Sequence, residues 1–324
     1  MMMDLEQQLL NQYQQRFPLN PTPYQVIAKD LQTDTHTVLQ LLSRLSAEGK
    51  VSRVGPVFPP NVIGASTLAA MHVPEAELEE VAMWINHFQE INHNYEREHR
   101  FNLWFVVVAP HRTRLGQVID RIRIETGYAV MSLPLIREYH IDLGFRLDRE
   151  PVKASTPGTP VVPSLPMDEA VDRKLIAAIQ HGLPLSERPY REIGKRLGFS
   201  ERVVIEKIHQ LQSAGVIRRL GIVVRHHELG YHANAMVVWN VPDHQVDELG
   251  LQISNEPAVT LCYQRPRVLP DWPYNLFTMI HARERDEAHA CLDRIIEQYE
   301  LNTLPHETLF SRRRFKQCGA KVVA

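Results

Sequence analysis

Cysteine is scarce in this sequence. Only three occur among 324 residues, Cys262, Cys291 and Cys318, and no two of them form a CxxC pair. An odd number without such a pair predicts neither a disulfide framework nor a thiolate zinc site. We therefore expect reduced thiols and no metal ion held by the protein.

Long apolar runs are also missing, and none approaches the length that spans a bilayer. The opening stretch, "MMMDLEQQLLNQYQQRF", has no positively charged start and no continuous apolar core, unlike a secretory signal. The net charge is only -2, which provides no overall basic field for nucleic acid. These absences predict a cytoplasmic protein that does not contact membranes.

The motifs of the common cofactors are absent as well. The sequence contains no G-x-G-x-x-G and no P-loop, so no bound nucleotide or redox cofactor is predicted. Histidines are the remaining metal ligands to consider, and His226, His227 and His232 lie near one another. The first two are adjacent and would face opposite ways on a strand, so a zinc site is the weaker alternative.

What the sequence does contain is a tandem duplication. The stretch from residue 17 to 31 aligns without a gap to the stretch from 183 to 197, at an offset of 166 that continues further along the chain. The matching pairs are Pro18 and Pro184, Pro23 and Pro189, Tyr24 and Tyr190, Ile27 and Ile193, Leu45 and Leu211, Gly49 and Gly215, Arg53 and Arg219, Gly55 and Gly221, and Gly64 and Gly230. Residues 147–167 between the copies are rich in proline and predict an extended linker.

The first part of each copy, residues 1–60 and 168–226, has the pattern of short amphipathic helices around a tight turn. In the second copy Gly198 is placed to end one helix and Ser200 to cap the next. Apolar residues then recur at helical spacing. The pattern predicts a helix-turn-helix with a small β-wing in each copy.

The second part of each copy, residues 61–146 and 227–324, follows the order strand, helix, two strands, helix and strand. In the first copy the predicted elements are roughly 67–73, 75–89, 91–97, 101–109, 112–126 and 129–139. This is the order of a ferredoxin-like βαββαβ sheet, whose helices cover one face and leave the other for a partner. The predicted fold class is therefore α+β, a tandem duplication of a winged helix-turn-helix followed by a ferredoxin-like domain.

This arrangement resembles the Lrp/AsnC family of transcription regulators. The resemblance implies that two fused copies form an internal pseudo-dimer through their sheets, whether the whole chain is monomeric or homodimeric. The predicted recognition helices, 34–46 and 200–213, place acidic residues beside basic ones such as Arg202 and Lys207. Such a nearly neutral surface suits duplex DNA poorly, so a DNA-binding regulator is kept as an alternative function and DNA binding is not expected.

Polar residues that such regulators lack recur at one place in both copies. Tyr95-x-Arg97 in the first copy matches Tyr263-x-Arg265 in the second, and both motifs are followed by Asn-Leu and an aromatic residue. The first copy also has His93 two residues before the tyrosine. The second copy has a leucine there, so only one half carries this proton donor.

These motifs, together with "REYHIDLGFRL" (137–147), "VVRHHELGYHANAMVVWNVPD" (223–243) and "RRRFKQCGA" (312–320), resemble the siroheme decarboxylases in their fused D-plus-L form. The resemblance implies removal of two acetate carboxylates from siroheme, giving didecarboxysiroheme in the biosynthesis of the modified haem of nitrite reductase. It implies no cofactor beyond the iron of the siroheme substrate. A non-catalytic tetrapyrrole carrier is the other alternative.

The resemblance and the chemistry of the side chains together assign roles. Decarboxylation leaves a methylene carbon that must receive a proton, and histidine or tyrosine can deliver it. Arginine forks match the carboxylates of such a substrate. The predicted catalytic residues are His93, Tyr95 and Tyr263, and the predicted substrate-binding residues are Arg97, Asn102, Trp104, Arg265, Arg267 and Asn275.

Other candidates are weaker. Trp272 could form a wall for the macrocycle, and Arg312 to Arg314 could bind carboxylates at a sheet edge. Spacing does not choose an axial ligand for the substrate iron among His93, His99, His140 and His281. Because His93 has no counterpart in the second motif, we expect one pocket in the first copy to handle both acetates in succession.

Overall fold

The computed structural model describes residues 4–141, 169–225 and 232–319. The helices are α1 Leu5–Gln12, α2 Pro23–Asp30, α3 Thr35–Ala47, α4 Leu78–Ile85, α5 Arg112–Thr126, α6 Glu169–Ile179, α7 Pro189–Leu197, α8 Glu201–Ser213, α9 Val246–Ile253 and α10 Arg285–Gln298. The strands are β1 Val51–Val57, β2 Ala65–Met71, β3 Ile91–Arg97, β4 Leu103–Ala109, β5 Val130–Pro134, β6 Arg137–Ile141, β7 Arg219–Val224, β8 Ala233–Trp239, β9 Val259–Gln264, β10 Leu276–Ala282 and β11 His306–Gln317. No helix in these ranges is long and apolar enough to cross a membrane.

The fold class predicted from the sequence is confirmed, because both modules are present twice. In the helix-turn-helix modules, the Asp34 carboxylate caps α3 by accepting from the Thr37 backbone N–H at 2.9 Å. Ser200 caps α8 in the same way, as its sequence position predicted. Gly198 ends α7 with φ +75°, a conformation that glycine adopts without steric cost.

The two helix-turn-helix modules share one hydrophobic core, which contains buried residues from both copies. Two buried tyrosines link the copies across this core. The Tyr24 hydroxyl donates to the Pro184 carbonyl at 3.2 Å, and the Tyr190 hydroxyl donates to the Pro18 carbonyl at 3.3 Å. Since these are the same pairs that align in the repeat, each contact repeats the other about a pseudo-two-fold axis.

The prediction of a small β-wing within each copy is wrong, because the strands pair between the copies. Each copy supplies one strand, and β1 pairs with β7 of the other copy as an antiparallel ribbon. Pro59 and Pro60 follow β1 and have no N–H to donate, which disfavours a return strand within the same copy. Gly55 lies opposite Gly221 in the ribbon, so the pseudo-two-fold axis passes between these equivalent residues.

The ferredoxin-like domains have the strand orders β5-β2-β4-β3 and β11-β8-β10-β9. In the first copy, α4 and α5 pack on one face of the sheet and form a core with its strands. In the second copy, α9 and α10 do the same. The opposite faces of the two sheets meet in a third core that draws residues from both copies. The predicted internal pseudo-dimer is thus formed within the chain.

The fourth strand of each domain extends onto the other copy. The 12-residue β11 pairs with β8 through its first half and with β3 of the first copy through its second half. In the first copy this path is split, because β5 ends at Pro134 and β6 then pairs with β9. The single strand predicted over 129–139 is therefore two, and the two sheets are joined at both edges.

A glycine substitution tests how closely the copies approach. A Cβ atom on Gly221 would overlap the backbone carbonyl of Gln14, whereas a Cβ on Gly116 in α5 would meet nothing within 4 Å. We expect Gly221→Ala to lower the free energy of unfolding by about 1–3 kcal/mol or more, because backbone must move. The control Gly116→Ala should raise it by about 0.5–1 kcal/mol through helix propensity.

Urea unfolding followed by circular dichroism measures both values. Equal stability of the Gly221→Ala protein and the wild type would contradict the close contact at the ribbon.

Candidate active site

A cavity of about 530 Å³ lies between the two sheets and the β1–β7 ribbon. Equivalent positions of the two copies line it on both sides, so it straddles the pseudo-two-fold axis. Such pairs are Arg53 and Arg219, Ser66 and Asn234, Leu68 and Met236, Tyr95 and Tyr263, Arg97 and Arg265, and Val106 and Met279. The structure therefore places both motifs around one shared cavity, and not around a separate pocket in the first copy.

Six of the nine predicted site residues line this cavity. Strands β3 and β9 position most of them, because alternate residues of a strand point to the same face of the sheet. The six are His93, Tyr95, Arg97, Trp104, Tyr263 and Arg265. The Tyr-x-Arg motif thus predicts the side chains that reach the axis from both copies.

The two motif arginines occupy equivalent positions beside the axis. Arg97 is 6% exposed and donates through Nη1 to the Leu309 carbonyl at 2.8 Å, and Arg265 donates to the equivalent carbonyl of Leu133. Within the described parts of the chain neither guanidinium has a carboxylate partner. Burial lowers the pKa of Arg97 to about 10 and also lowers the pKa of Arg265. Guanidinium groups stay protonated in proteins, so both side chains carry a positive charge at neutral pH.

Charge buried without a counterion is unfavourable, and an anionic ligand relieves it. The tyrosines of the motif lie beside these charges. The Arg265 guanidinium is 4.6 Å from the centre of the Tyr263 ring. Burial raises the pKa of Tyr95 despite the opposing effects of Arg97 and Arg314, so its phenol keeps a proton to donate.

His93 is held mainly as a neutral imidazole. Burial, followed by the positive charge of Arg53, lowers its pKa from 6.5 to about 4. Its ring stacks on that of Tyr95, with ring centres 6.1 Å apart. A ligand carboxylate at Arg53 would offset the positive charge of that arginine and so raise the pKa of His93, which would help His93 carry the proton that a decarboxylation consumes.

The ribbon supplies cavity residues that our sequence analysis did not assign to the site. Arg53, Arg219 and Arg225 reach the cavity from β1, β7 and the residue after β7. Arg53 and Arg219 are also a matched pair of the repeat, and that retained pair was the available signal. The helix-turn-helix modules therefore form part of the site.

Unsatisfied polar atoms also point to a polar ligand. Most buried polar groups of proteins have a hydrogen-bond partner. The buried atoms of cavity residues that have none among the described residues include Asn92 Oδ1, Asn234 Oδ1, Arg53 Nε and Arg265 Nε. A ligand rich in both donors and acceptors would satisfy them.

The two asparagines of the repeated motif do not line the cavity. Asn102 Oδ1 accepts from the Val73 N–H at 3.0 Å and its amide donates to the Val73 carbonyl at 2.7 Å. Asn275 makes the same two contacts with Val241, at 2.9 and 3.0 Å. The repeated asparagine is therefore explained by its paired hydrogen bonds to the backbone of a neighbouring strand end. This corrects the expectation that these side chains contact a ligand.

Arg267 also lies outside the cavity lining, where it pairs with Asp243 and donates to backbone and side-chain oxygens nearby. This placement corrects its predicted role as a ligand contact. Trp272 packs edge-on against Trp104, with ring centres 5.2 Å apart, and is fully buried in the core between the sheets. It belongs to that core and does not line the cavity.

All three arginines of the β11 run, Arg312 to Arg314, line the cavity. Arg312 and Arg313 also pair with the buried Glu96, which offsets part of their positive charge. Arg314 lies opposite Tyr95 in the sheet. The run therefore adds positive charge to the cavity wall.

The histidines considered as ligands are dispersed. His232 and His281 line the cavity, whereas His99 pairs with Glu307 at 2.7 Å. His140 lies on β6, and His226 and His227 lie outside the described residues. No group of three metal-binding side chains occurs in the described ranges.

Comparisons with known proteins identify the relatives of this chain. A model of AsnC-like ligand binding domains matches residues 63–140 and 228–316, and a model of siroheme decarboxylase NirDL-like helix-turn-helix domains matches 6–51 and 172–218. The siroheme decarboxylase NirDL subunit of Paracoccus denitrificans is 42% identical over 98% of this chain and 97% of its own length. The chain belongs to the siroheme decarboxylase family.

Further members of the family support the assignment. The siroheme decarboxylase of Hydrogenobacter thermophilus is 33% identical over 97% of this chain and 93% of its own length. A crystal structure of the siroheme decarboxylase NirDL in co-complex with an iron-uroporphyrin III analogue superimposes with a TM-score of 0.69 at 29% identity. The match covers 98% of this chain and 93% of that one.

The recognition helices of this siroheme decarboxylase family member carry little free positive charge. On α3, Arg44 pairs with Glu6 and Glu48. On α8, Arg202 pairs with Glu206 at 2.6 Å. Lys207 is 24% exposed and pairs at 3.1 Å with the buried Asp172, so it contributes to packing.

The depressed pKa of His93 gives a first test of the site. We expect Arg53→Gln to raise this pKa above 4 without restoring 6.5, because the charge is removed and the burial stays. Arg225→Gln, at another cavity position, is the control and should leave it near 4. NMR titration of the imidazole Cε1–H measures each value.

The same shift has a consequence for stability. The unfolded chain takes up a proton at His93 near pH 6.5 and the folded protein only near 4, so folding stability falls as the pH drops through that interval. The loss should be smaller in Arg53→Gln than in the control. A His93 pKa that does not move in Arg53→Gln would contradict the assigned cause.

Proposed function

We propose that this chain is a carboxy-lyase that removes two acetate carboxylates from siroheme, giving didecarboxysiroheme for the modified haem of nitrite reductase. Family membership over nearly the whole chain supports the proposal. The observation that carries it is the pair of axis-related arginines, Arg97 and Arg265, which line the cavity with no carboxylate partner among the described residues. A tetrapyrrole with many carboxylates supplies the missing negative charge.

The arginines are best suited to carboxylates that do not react. A carboxylate loses its charge as it becomes carbon dioxide, so a guanidinium paired with it would stabilise the substrate more than the transition state. We therefore assign Arg97, Arg265, Arg53 and Arg314 to anchoring the remaining side chains of the macrocycle. The reacting acetate then lies along the less charged part of the wall, near residues such as Trp104.

The reaction requires one bond cleavage and one proton. The bond between the acetate methylene and its carboxyl carbon breaks, and carbon dioxide leaves. The electron pair is delocalised from the methylene carbon toward the conjugated macrocycle, and the methylene carbon then takes a proton to become a methyl group. His93 and Tyr95 lie together on the cavity wall, where an imidazolium formed upon substrate binding could supply that proton.

The two alternatives have less support. A DNA-binding regulator needs cations directed at phosphates, but the recognition-helix cations Arg44, Arg202 and Lys207 are paired with carboxylates. A carrier would share the anchoring arginines and would have no need of a proton donor. Turnover is therefore the property that separates a carrier from an enzyme.

Anaerobic incubation with siroheme followed by mass spectrometry tests the function. We expect a product that has lost two molecules of carbon dioxide. The Arg202→Ala control, changed on the exposed face of α8, should turn over like the wild type because this side chain is 78% exposed and does not line the cavity. Siroheme bound without any loss of mass would favour the carrier and overturn the enzyme.

The buried arginine predicts opposite effects on stability and binding. Replacing Arg97 by methionine removes a poorly compensated charge, so the free energy of unfolding should not fall. Siroheme affinity should fall about ten- to hundredfold, since a hydrogen bond to a charged group is worth about 1.5–3 kcal/mol. Spectroscopic titration and urea unfolding measure the two quantities.

Arg267→Met is the matched control outside the cavity. It should lose stability, because it gives up an ion pair with Asp243 and several hydrogen bonds, and retain siroheme affinity. If Arg97→Met binds siroheme as tightly as the wild type, Arg97 is not an anchor.

A further inference from the structure

Aromatic side chains in the core between the sheets border the cavity. The Trp104 ring lines the cavity, and the Trp272 ring lies edge-on against it, with ring centres 5.2 Å apart. The Tyr274 ring follows, with its centre 5.0 Å from that of Trp272. These three residues, which we call the aromatic relay, form a continuous path of ring contacts from the cavity wall to a tyrosine that does not line the cavity.

The tyrosine at the far end of the relay has a proton acceptor. Its hydroxyl donates to Glu307 Oε1 at 2.6 Å, and Glu307 Oε2 accepts from His99 Nε2 at 2.7 Å. His99 Nδ1 accepts from the Phe101 N–H at 2.9 Å, so Nε2 is the nitrogen that carries the ring proton. The Glu307 carboxylate is therefore held where it can take the phenolic proton, and 44% of its side chain is exposed to solvent.

This environment suits a tyrosine that gives up an electron. Burial, followed by the hydrogen bond to Glu307, raises the pKa of Tyr274, so its side chain is a neutral phenol. A phenol that loses an electron becomes strongly acidic. Transfer of its proton to a hydrogen-bonded carboxylate in the same step makes the electron easier to remove. Tyr274 is therefore the natural end point of the relay.

Packing alone does not require these residue types. Trp104 follows Asn-Leu in the first copy, and the equivalent residue of the second copy is Phe277. Tyr274 precedes Asn-Leu in the second copy, and the equivalent residue of the first copy is Phe101. At both positions one copy has an aromatic ring that is readily oxidised where the other copy has phenylalanine.

Trp272 is supplied by an insertion in the second copy. Residues 266–274 stand where the first copy has only residues 98–101. The Trp272 side chain is fully buried, and its indole N–H has no hydrogen-bond partner among the described residues. An unsatisfied buried donor is destabilising, and a phenylalanine would fill a core without it. The property that an indole adds at this position is ease of oxidation.

We propose that Trp104, Trp272 and Tyr274 carry oxidising equivalents away from an iron macrocycle bound in the cavity. The inference rests on the part of the proposed function that places siroheme there. The oxidant is hydrogen peroxide, which forms when ferrous iron meets dioxygen. Without the relay, the oxidising equivalent stays on the macrocycle and destroys its conjugated system.

Reduction of hydrogen peroxide to two water molecules breaks the O–O bond and consumes two electrons and two protons. Ferrous iron supplies one electron and becomes ferric. Tyr274 supplies the other through Trp272 and Trp104, its phenolic proton moves to Glu307, and solvent supplies the two protons that enter water. A neutral tyrosyl radical remains. A soluble thiol then donates a hydrogen atom that restores the phenol, two thiyl radicals combine to a disulfide, and Glu307 returns its proton to solvent.

The test compares three variants of the full chain, each loaded with siroheme without oxygen and then mixed with hydrogen peroxide. Tyr274→Phe copies the residue of the first copy and removes the phenol. Trp272→Phe keeps a ring in the core and removes the middle of the relay. Tyr128→Phe is the matched control, because the Tyr128 hydroxyl also donates to a glutamate, at 2.7 Å, while its ring packs on the helix side of the first sheet.

Freeze-quench electron paramagnetic resonance detects the radical, and ring-deuterated tyrosine identifies it because its signal narrows. We expect a tyrosyl signal in the wild type and in Tyr128→Phe, and its loss in Tyr274→Phe. In Trp272→Phe the signal should form at least about tenfold more slowly, because a ring that is harder to oxidise raises the barrier. The visible absorption of siroheme should bleach faster in both relay variants than in the control.

Several results would overturn the relay. They are a wild type without a tyrosyl signal, a signal of unchanged size in Tyr274→Phe, and formation of the signal at the wild-type rate in Trp272→Phe. Equal bleaching in the relay variants and the control would also overturn it, because the relay would then protect nothing.

Anaerobic turnover separates the relay from the proposed function. All three variants should decarboxylate siroheme like the wild type, because none of the changed side chains lines the cavity. Loss of turnover in both relay variants would assign these rings to packing of the site and overturn the relay. A wild type that binds siroheme and releases no carbon dioxide removes the enzyme, while the radical still decides the relay. Siroheme that does not bind overturns both.

Discussion

The pairing of β1 with β7 across the pseudo-two-fold axis is the constraint on which the rest of the structure depends. This ribbon joins the two helix-turn-helix modules, and its glycines at the axis allow backbone to approach backbone. It also covers the inter-sheet space and brings Arg53 and Arg219 to the cavity. The helix-turn-helix modules therefore contribute side chains to the wall of the cavity between the sheets.

The cavity has an electrostatic cost that the rest of the fold must offset. Arg97 is buried without a carboxylate among the described residues, and a charge in that state is destabilising. The shared helix-turn-helix core, the core between the sheets and the exchanged strands β6 and β11 supply the compensating burial. Stability therefore resides in apolar contacts between the copies, and the charges at the axis are available for a ligand.

Much of this could be predicted from the sequence, because the repeat and the alternation of elements specify the fold class. The Tyr-x-Arg residues of both copies line the cavity, since a strand that repeats a polar pattern directs it to one face. Asn102 and Asn275 are repeated as well, but they do not line the cavity. A repeated residue can be required by the backbone, and here each holds a neighbouring strand end.

What the sequence could not reveal depends on pairing between strands that are distant in the chain. The single-strand wings pair with each other, the fourth strands cross between copies, and His281 reaches the cavity from β10. None of these leaves a local pattern of hydrophobic spacing. Arg53 and Arg219 were visible as a repeated pair, but their role required knowing that the ribbon lies over the sheets.

The fusion of the two copies has a consequence for how a ligand can be oriented. In a homodimer of identical chains, every substitution beside the axis appears twice, and a ligand can bind in two equivalent directions. In this chain the two halves vary independently. Gly55 and Gly221 are both glycine where the strands of the ribbon pair at the axis. The position that His93 holds on β3 of the first copy is held by Leu261 on β9 of the second. The two sides of the cavity are then no longer equivalent, so a macrocycle whose edges differ can bind in one preferred orientation.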